Sequence, residues 1–245
     1  MALAGCSAPG GDDQGGGNYS WPGVPNEHLQ GWEKAGTETD VFSRSAWWVG
    51  VDAYVATEIY NDVAIRQDVR EKTMGQFDEV LATFFATKIN LEGLGTRAVT
   101  ASEIADRLFP EFRSQMEEYG VQNVEETETS SPAPSNHDPV TKEYSGTFPT
   151  PAIEREVSMP DVETKTLHLP ADELEITGLA SAWKTNTGTG YAGGAVFPAE
   201  NFSKKDTISL TGAEGSGIDV TISVDLGLDP TSIRNRVVGM IESIE

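Results

Sequence analysis

The chain has a single cysteine in 245 residues, Cys6, so it forms no internal disulfide and its stability has to come from a packed core. It is also poor in positive charge: 17 Lys and Arg stand against 39 Asp and Glu, a formal net charge of -22. So few cations cannot neutralise phosphates, which excludes nucleic acid as the expected partner and disfavours anionic headgroups. No apolar run approaches the roughly eighteen residues of a membrane span. Histidine is scarce as well. His28, His137 and His168 have no second His or Cys at metal-ligand spacing, and the acidic pairs lack the ordered spacing of a calcium loop, so no metal site is expected.

Signals for a cofactor or a nucleophile are equally thin. Gly188-Thr189-Gly190-Tyr191-Ala192-Gly193 has the letters of a dinucleotide fingerprint, but it leads into the strand-like Gly194–Pro198 and not into a helix able to hold a pyrophosphate. It reads as a glycine-rich hairpin loop. Gly215-Ser216-Gly217 lacks the spacing of a nucleophile elbow. No catalytic, cofactor or metal residue is assigned, and no enzyme activity is expected. A catalytic carboxylate pair stays open, since only proximity in space would select one from 39 candidates.

What is present begins with Leu3-Ala4-Gly5-Cys6 and the Gly/Asp/Ser-rich run to Asn18. That order reads as a lipid-modified cysteine and its tether, which would hold a domain within roughly 20 Å of a membrane. No basic and apolar leader precedes Leu3, so either an export signal lies upstream of Met1, the reading followed here, or Leu-Ala-Gly-Cys is a chance tetrapeptide in a cytosolic protein. Residues 1–24 are therefore expected to be a lipobox remnant and flexible tether. Residues 25–245 are expected to form one globular α+β domain, with a surface loop near 128–139 and an insertion near 201–226. Asn18 and Asn201 each open an Asn-x-Ser triplet and are glycosylation candidates. The acids are spread through every segment, which suggests a whole-surface adaptation to high salt. At about 1 M salt the screening length is only ~3 Å, so the self-repulsion would vanish in brine and act in dilute buffer.

Along the chain, Trp21 to Gly36 is turn-like, with Trp21 and Trp32 expected to plug the edge of the core. Ala46–Tyr60 alternates as a half-buried strand, and Phe77–Ile89, apolar on both faces, reads as a central one. Asn61–Thr73 is polar and indecisive. Thr100-Ala101-Ser102-Glu103 fits a capping box, followed by the stripe Ile104, Leu108, Phe112, Met116 and Tyr119, closed by Gly120. Pro110 is predicted to kink or divide that helix. Val121–Thr127, Ile153–Met159, Val162–Leu169, Leu174–Thr185 and Tyr191–Phe197 read as strands, and Thr207–Leu210 with Ile218–Leu226 as a hairpin. A last helix is expected from Asp229 as N-cap and Pro230 at N1, with the stripe Ile233, Val237, Val238, Ile241 and Ile244. The fold class is α+β: an antiparallel sheet packed by a long central helix and a C-terminal helix. Exposed aromatics at Trp47, Trp48 and Tyr191 are the expected partner surface.

A resemblance adds to this reading. Leu3-Ala4-Gly5-Cys6 with its Gly/Asp tether, the acidic composition, Trp48–Tyr60, Phe77–Thr87, the Glu103–Tyr119 helix running into Val121-Gln122-Asn123-Val124, and the late Val196-Phe197-Pro198 together resemble a family of haloarchaeal lipoproteins of unknown function. The order of elements is similar to the Mog1/PsbP-like fold, from which the Glu128–Asp138 loop and the Asn201–Leu226 insertion depart. The resemblance implies a lipid-anchored protein on the outer face of the cell membrane, binding an unknown membrane or surface protein or aiding assembly. A solute-binding lipoprotein and a surface hydrolase with a carboxylate site remain alternatives.

Overall fold

The structure, a computed structural model, describes residues 19–44, 50–127, 138–158, 164–211 and 217–245. In chain order the elements are β1 (Trp32–Arg44), β2 (Val51–Asp62), α1 (Val63–Lys72), β3 (Thr83–Glu92), α2 (Ala101–Glu118), β4 (Gln122–Thr127), β5 (Val140–Thr150), β6 (Ile153–Val157), β7 (Lys165–Leu169), β8 (Asp172–Lys184), β9 (Gly190–Pro198), β10 (Ser203–Thr211), β11 (Gly217–Asp225) and α3 (Pro230–Glu242). The fold is mixed α+β around a large antiparallel sheet, as the periodicities predict.

Local chemistry sets the helix starts. Thr100 accepts the Glu103 N–H at 3.2 Å and Glu103 returns a bond from the Thr100 N–H at 2.9 Å, the reciprocal capping box read from the sequence. Asp229 caps α3 through the Ser232 N–H at 3.0 Å, with Pro230 behind it. Helix α1 fills the stretch whose sequence is indecisive. Asp62 is its N-cap, accepting from Ile65 at 2.9 Å, and only Ile65 and Val69 are buried, too few positions to announce a period. Pro110 does not divide α2. It sits on the solvent side, where the Asp106 carbonyl that loses its partner meets water.

Seven strands form the main sheet in the order β1-β2-β3-β9-β8-β5-β4, with every neighbouring pair antiparallel. The middle of the sheet, β8 and β9, is buried on both faces. Small residues make this possible. A side chain at Gly178 would come within 2.5 Å of Met116 Sδ on α2, and one at Gly193 within 2.4 Å of Ile244 Cδ1, just beyond α3. Helix α2 thus lies on one face over β8, β5, β4 and β9, and α3 lies on the other face over β9. Two hairpins, β6–β7 and β10–β11, complete the described residues, with β7 against β10 and the apolar Ile153, Leu167, Leu169, Phe202, Ile222 and Val224 joined to the main core. The second of these is the segment read as an insertion. Ahead of β1, Gly23 and Glu245 exchange two backbone hydrogen bonds of 2.8 and 3.0 Å.

Trp32 is buried, as expected, but Trp21 is 44 % exposed and lies under the Lys34 ammonium instead of plugging the core. The strand read at Phe77–Ile89 begins only at Thr83. Phe77, Leu81 and Ala82 are buried in the approach to it, which is why the apolar run extends past the strand's true start.

Candidate functional site

Helix α2 packs mainly over β8, β5, β4 and β9, with Phe85 of β3 reaching Phe112 at 5.4 Å, and a groove lies between it and the same face of β1, β2 and β3. Register places Asp40 opposite Val55 and Val55 opposite Ile89, and Glu38 opposite Thr57 and Thr57 opposite Thr87, so these rows share one face. Together with one side of α2 they bound a groove in two adjoining parts.

The first part, about 680 Å³, has an aliphatic floor of Val51, Ala53, Val55, Ile89 and Leu91, with Ile104 and Leu108 as its helical wall. Glu103, Asp106 and Arg107 stand at its rim. The second part, about 490 Å³, is floored by Ile59, Phe85 and the Thr57–Thr87 hydroxyl pair at 2.9 Å, and edged by Glu38, Asp40, Glu111 and Gln115. Phe42, Val55, Arg107 and Leu108 belong to both parts. The junction is an Arg107 guanidinium stacked 4.5 Å from the Phe42 ring centroid, held by attraction between the cation and the ring face. Tyr119 stands near Glu38; burial first and that carboxylate next push its hydroxyl pKa up. Five carboxylates and one guanidinium therefore ring an apolar floor. The groove can hold an apolar body and attract positive charge around it.

The helix stripe read from the sequence is rotated slightly in the structure. Phe109 and Ala105 join Phe112 and Met116 in the core, Leu108 is half-buried on the groove, and Tyr119 is 60 % exposed. Of the expected partner surface, Trp47 and Trp48 lie outside the described residues, as do Cys6, Asn18, His137 and residues 128–137. Tyr191 is corrected: it is 9 % exposed, stacked on Trp183 at 5.8 Å and 16°, on the sheet face opposite the groove. The Lys88 ammonium lies above its ring at 5.4 Å. The loop before it is the glycine hairpin expected at Gly188, joining β8 to β9. Asn201 is in use. Its Nδ2 donates to Asp225 at 2.8 Å and its Oδ1 accepts the Leu228 N–H at 2.9 Å, so a glycan there would take one of the two hydrogens of the nitrogen that binds Asp225. His168 is exposed beside Glu154 at 3.1 Å, and among the described residues no three His, Cys, Asp or Glu side chains gather as a metal set.

The sequence contains the residues of the groove but not their meeting. Val51, Val55 and Ile89 read as strand positions facing a core, and nothing in their alternation says that the covering helix stands over the other half of the sheet.

A domain family described as Domain of unknown function (DUF6517) matches residues 22–245. The chain belongs to this family. The DUF6517 match runs from ahead of β1 to the end of α3 and so takes in both walls of the groove. No curated protein and no solved structure matches the chain. No helix among the described residues is long and apolar enough to cross a membrane.

Proposed function

We propose that the protein is a binding or assembly module, lipid-anchored through Cys6 on the outer face of the membrane of a halophilic archaeon, and that the groove beside α2 is its binding face for a membrane or surface protein. The arrangement of elements is, in this reading, a variant of the Mog1/PsbP-like sandwich with α2 as its central helix. One observation carries the choice among the functions: a groove with an apolar floor ringed by Glu38, Asp40, Glu103, Asp106 and Glu111. Such a surface suits a partner segment with apolar residues and flanking positive charge. A hydrolase would require a carboxylate pair held together and desolvated. The fully buried carboxylate among the described residues, Asp62, already serves Ile65 and Arg236.

The test is capture of the tethered full-length protein from its own membranes in molar salt, with Leu108→Arg in the groove and Glu156→Arg on β6, away from it. A partner held by the wild type and by Glu156→Arg, and lost with Leu108→Arg, supports the groove. A partner retained equally by all three removes it.

The volume of the first part favours a second reading, in which a small amphiphilic solute is the ligand, since sites of about 300–1,000 Å³ are typical for such molecules. Native mass spectrometry of protein taken from cells separates the readings: a bound non-protein mass lost with Leu108→Arg selects the solute.

A further inference from the structure

Strand β1 ends the sheet: its thirteen residues pair with β2 on one side and with no strand on the other among the described residues. From Glu33 to Val41 it is exposed on both faces apart from half-buried Gly36. The Val41 N–H is held at 2.7 Å by the Oδ1 of Asp40, a side chain, so this amide points away from β2. By the two-residue period of a strand, the N–H and C=O of Thr39 and Thr37 point the same way. Beyond β1, then, lies a row of backbone donors and acceptors directly beside the groove, whose wall is built from the same strand's Glu38, Asp40 and Phe42.

The charge of this edge selects what can pair with it. Glu33, Glu38 and Asp40 are exposed and carry no ion pair among the described residues, while Lys34 is committed to Glu58 at 2.6 Å. Two copies joined edge to edge would set these acids against each other, which is unfavourable in cross-strand pairs. A strand with Lys or Arg on alternate positions meets them with opposite charge. Asp40 adds a selective step: its carboxylate covers the Val41 N–H until a cation draws it away, so an uncharged or acidic strand finds that donor blocked.

We propose that the protein partner binds by adding a β-strand to the free edge of β1, and that the added segment alternates basic residues, which face Glu38 and Asp40 on the groove side, with apolar ones that lie on the other face beside Thr39 and Val41. This rests on the groove being a protein-binding face, and it specifies the mode and the chemistry of the partner.

The probe is a blocked peptide of about seven alternating Val and Lys residues, an ordinary strand length, against a Val and Glu peptide of equal length. Full-length protein is used at a salt concentration where it is folded. The expected result is binding at least about tenfold tighter for the Lys peptide, with slowed hydrogen exchange at the Thr37, Thr39 and Val41 amides. Thr39→Pro removes one outward donor and leaves the β1–β2 ladder intact, as proline does on an edge strand, so it should lower binding about tenfold or more. Wild-type exchange decides the matter should that variant misfold. The proposal is overturned if the three amides are unchanged at saturating Lys peptide, if a folded Thr39→Pro binds it as wild type does, or if self-association already protects those amides without peptide. Native-partner capture separates the two levels: loss with Leu108→Arg but not with Thr39→Pro keeps the groove and removes strand addition, whereas retention in both variants removes both.

Discussion

Asp62 has no exposed surface, yet it is an acidic side chain set between β2 and α1. It is tolerated because Oδ1 accepts the Ile65 N–H and Oδ2 takes Arg236 of α3 at 3.0 Å, which joins the start of one helix to the flank of another. Removing Arg236 would leave that carboxyl buried with only the Ile65 N–H and no cation. Arg236→Ala should therefore cost about 2–4 kcal/mol, below the usual range for a fully buried pair because the guanidinium side chain is itself 38 % exposed. Asp62→Asn, which keeps a capping side chain, should cost less than Asp62→Ala. Denaturant melts in matched salt check both statements. Tyr60 provides a test in alkali. Burial, and then its 2.5 Å hydrogen bond to Glu58 and that group's charge, push the phenol far above its ordinary range. A raised folded pKa means that the contribution is fully present below the unfolded value near pH 10 and is lost as pH rises beyond it, because the unfolded chain ionises first. Stability should fall above about pH 10, and Tyr60→Phe should flatten part of that fall; phenolate absorbance followed through the unfolding transition measures it.

Strand β9 and helix α2 show how one element places another. An added methyl at Gly194 would meet the Leu179 carbonyl oxygen at 2.5 Å and the Phe85 ring at 2.6 Å, whereas at Gly178 it would meet the movable end of Met116. Gly194→Ala should therefore be the more damaging of the two, by about 1–3 kcal/mol, and thermal melts of the two variants decide it. The elements that announce themselves in the sequence have their signals in adjacent residues: the capping box of α2, the Asp229-Pro230 start of α3 and the apolar, small-residue runs of β8 and β9. Those that do not are exposed or interrupted. β1 shows almost no buried face, so its alternation has nothing apolar to report. β5 keeps one core slot empty at Gly146, where Val121 of the neighbouring turn reaches in, so the apolar atom belongs to a different stretch of sequence. The groove is hidden for a third reason. It depends on a lateral offset between helix and sheet, which follows from glycines more than sixty residues away in the chain and has no periodicity of its own.

Across the whole molecule the excess of acids sets the largest electrostatic effect. With 39 acidic against 17 basic side chains, most carboxylates have no cation to meet, and the ion pairs that form are largely exposed, such as Arg113–Glu117 and Lys142–Glu126. If the proposed halophilic setting holds, far-UV circular dichroism should show the fold failing on dialysis from molar salt into dilute buffer, and an unchanged spectrum would argue for an ordinary acidic protein. The offset of α2 has a further consequence, for how freely the sequence can change. Over β8 and β9 the two helices press on the sheet from both sides, and an enlarged side chain there disturbs two packed layers at once. Over β1 to β3 an enlarged side chain at Ala53 or Thr57 extends into the groove. Side-chain size is thus constrained by folding over β8 and β9, whereas the half-buried groove positions Ala53 and Thr57 can change in size at less cost in stability, so that a change of partner can arise there without first endangering the fold.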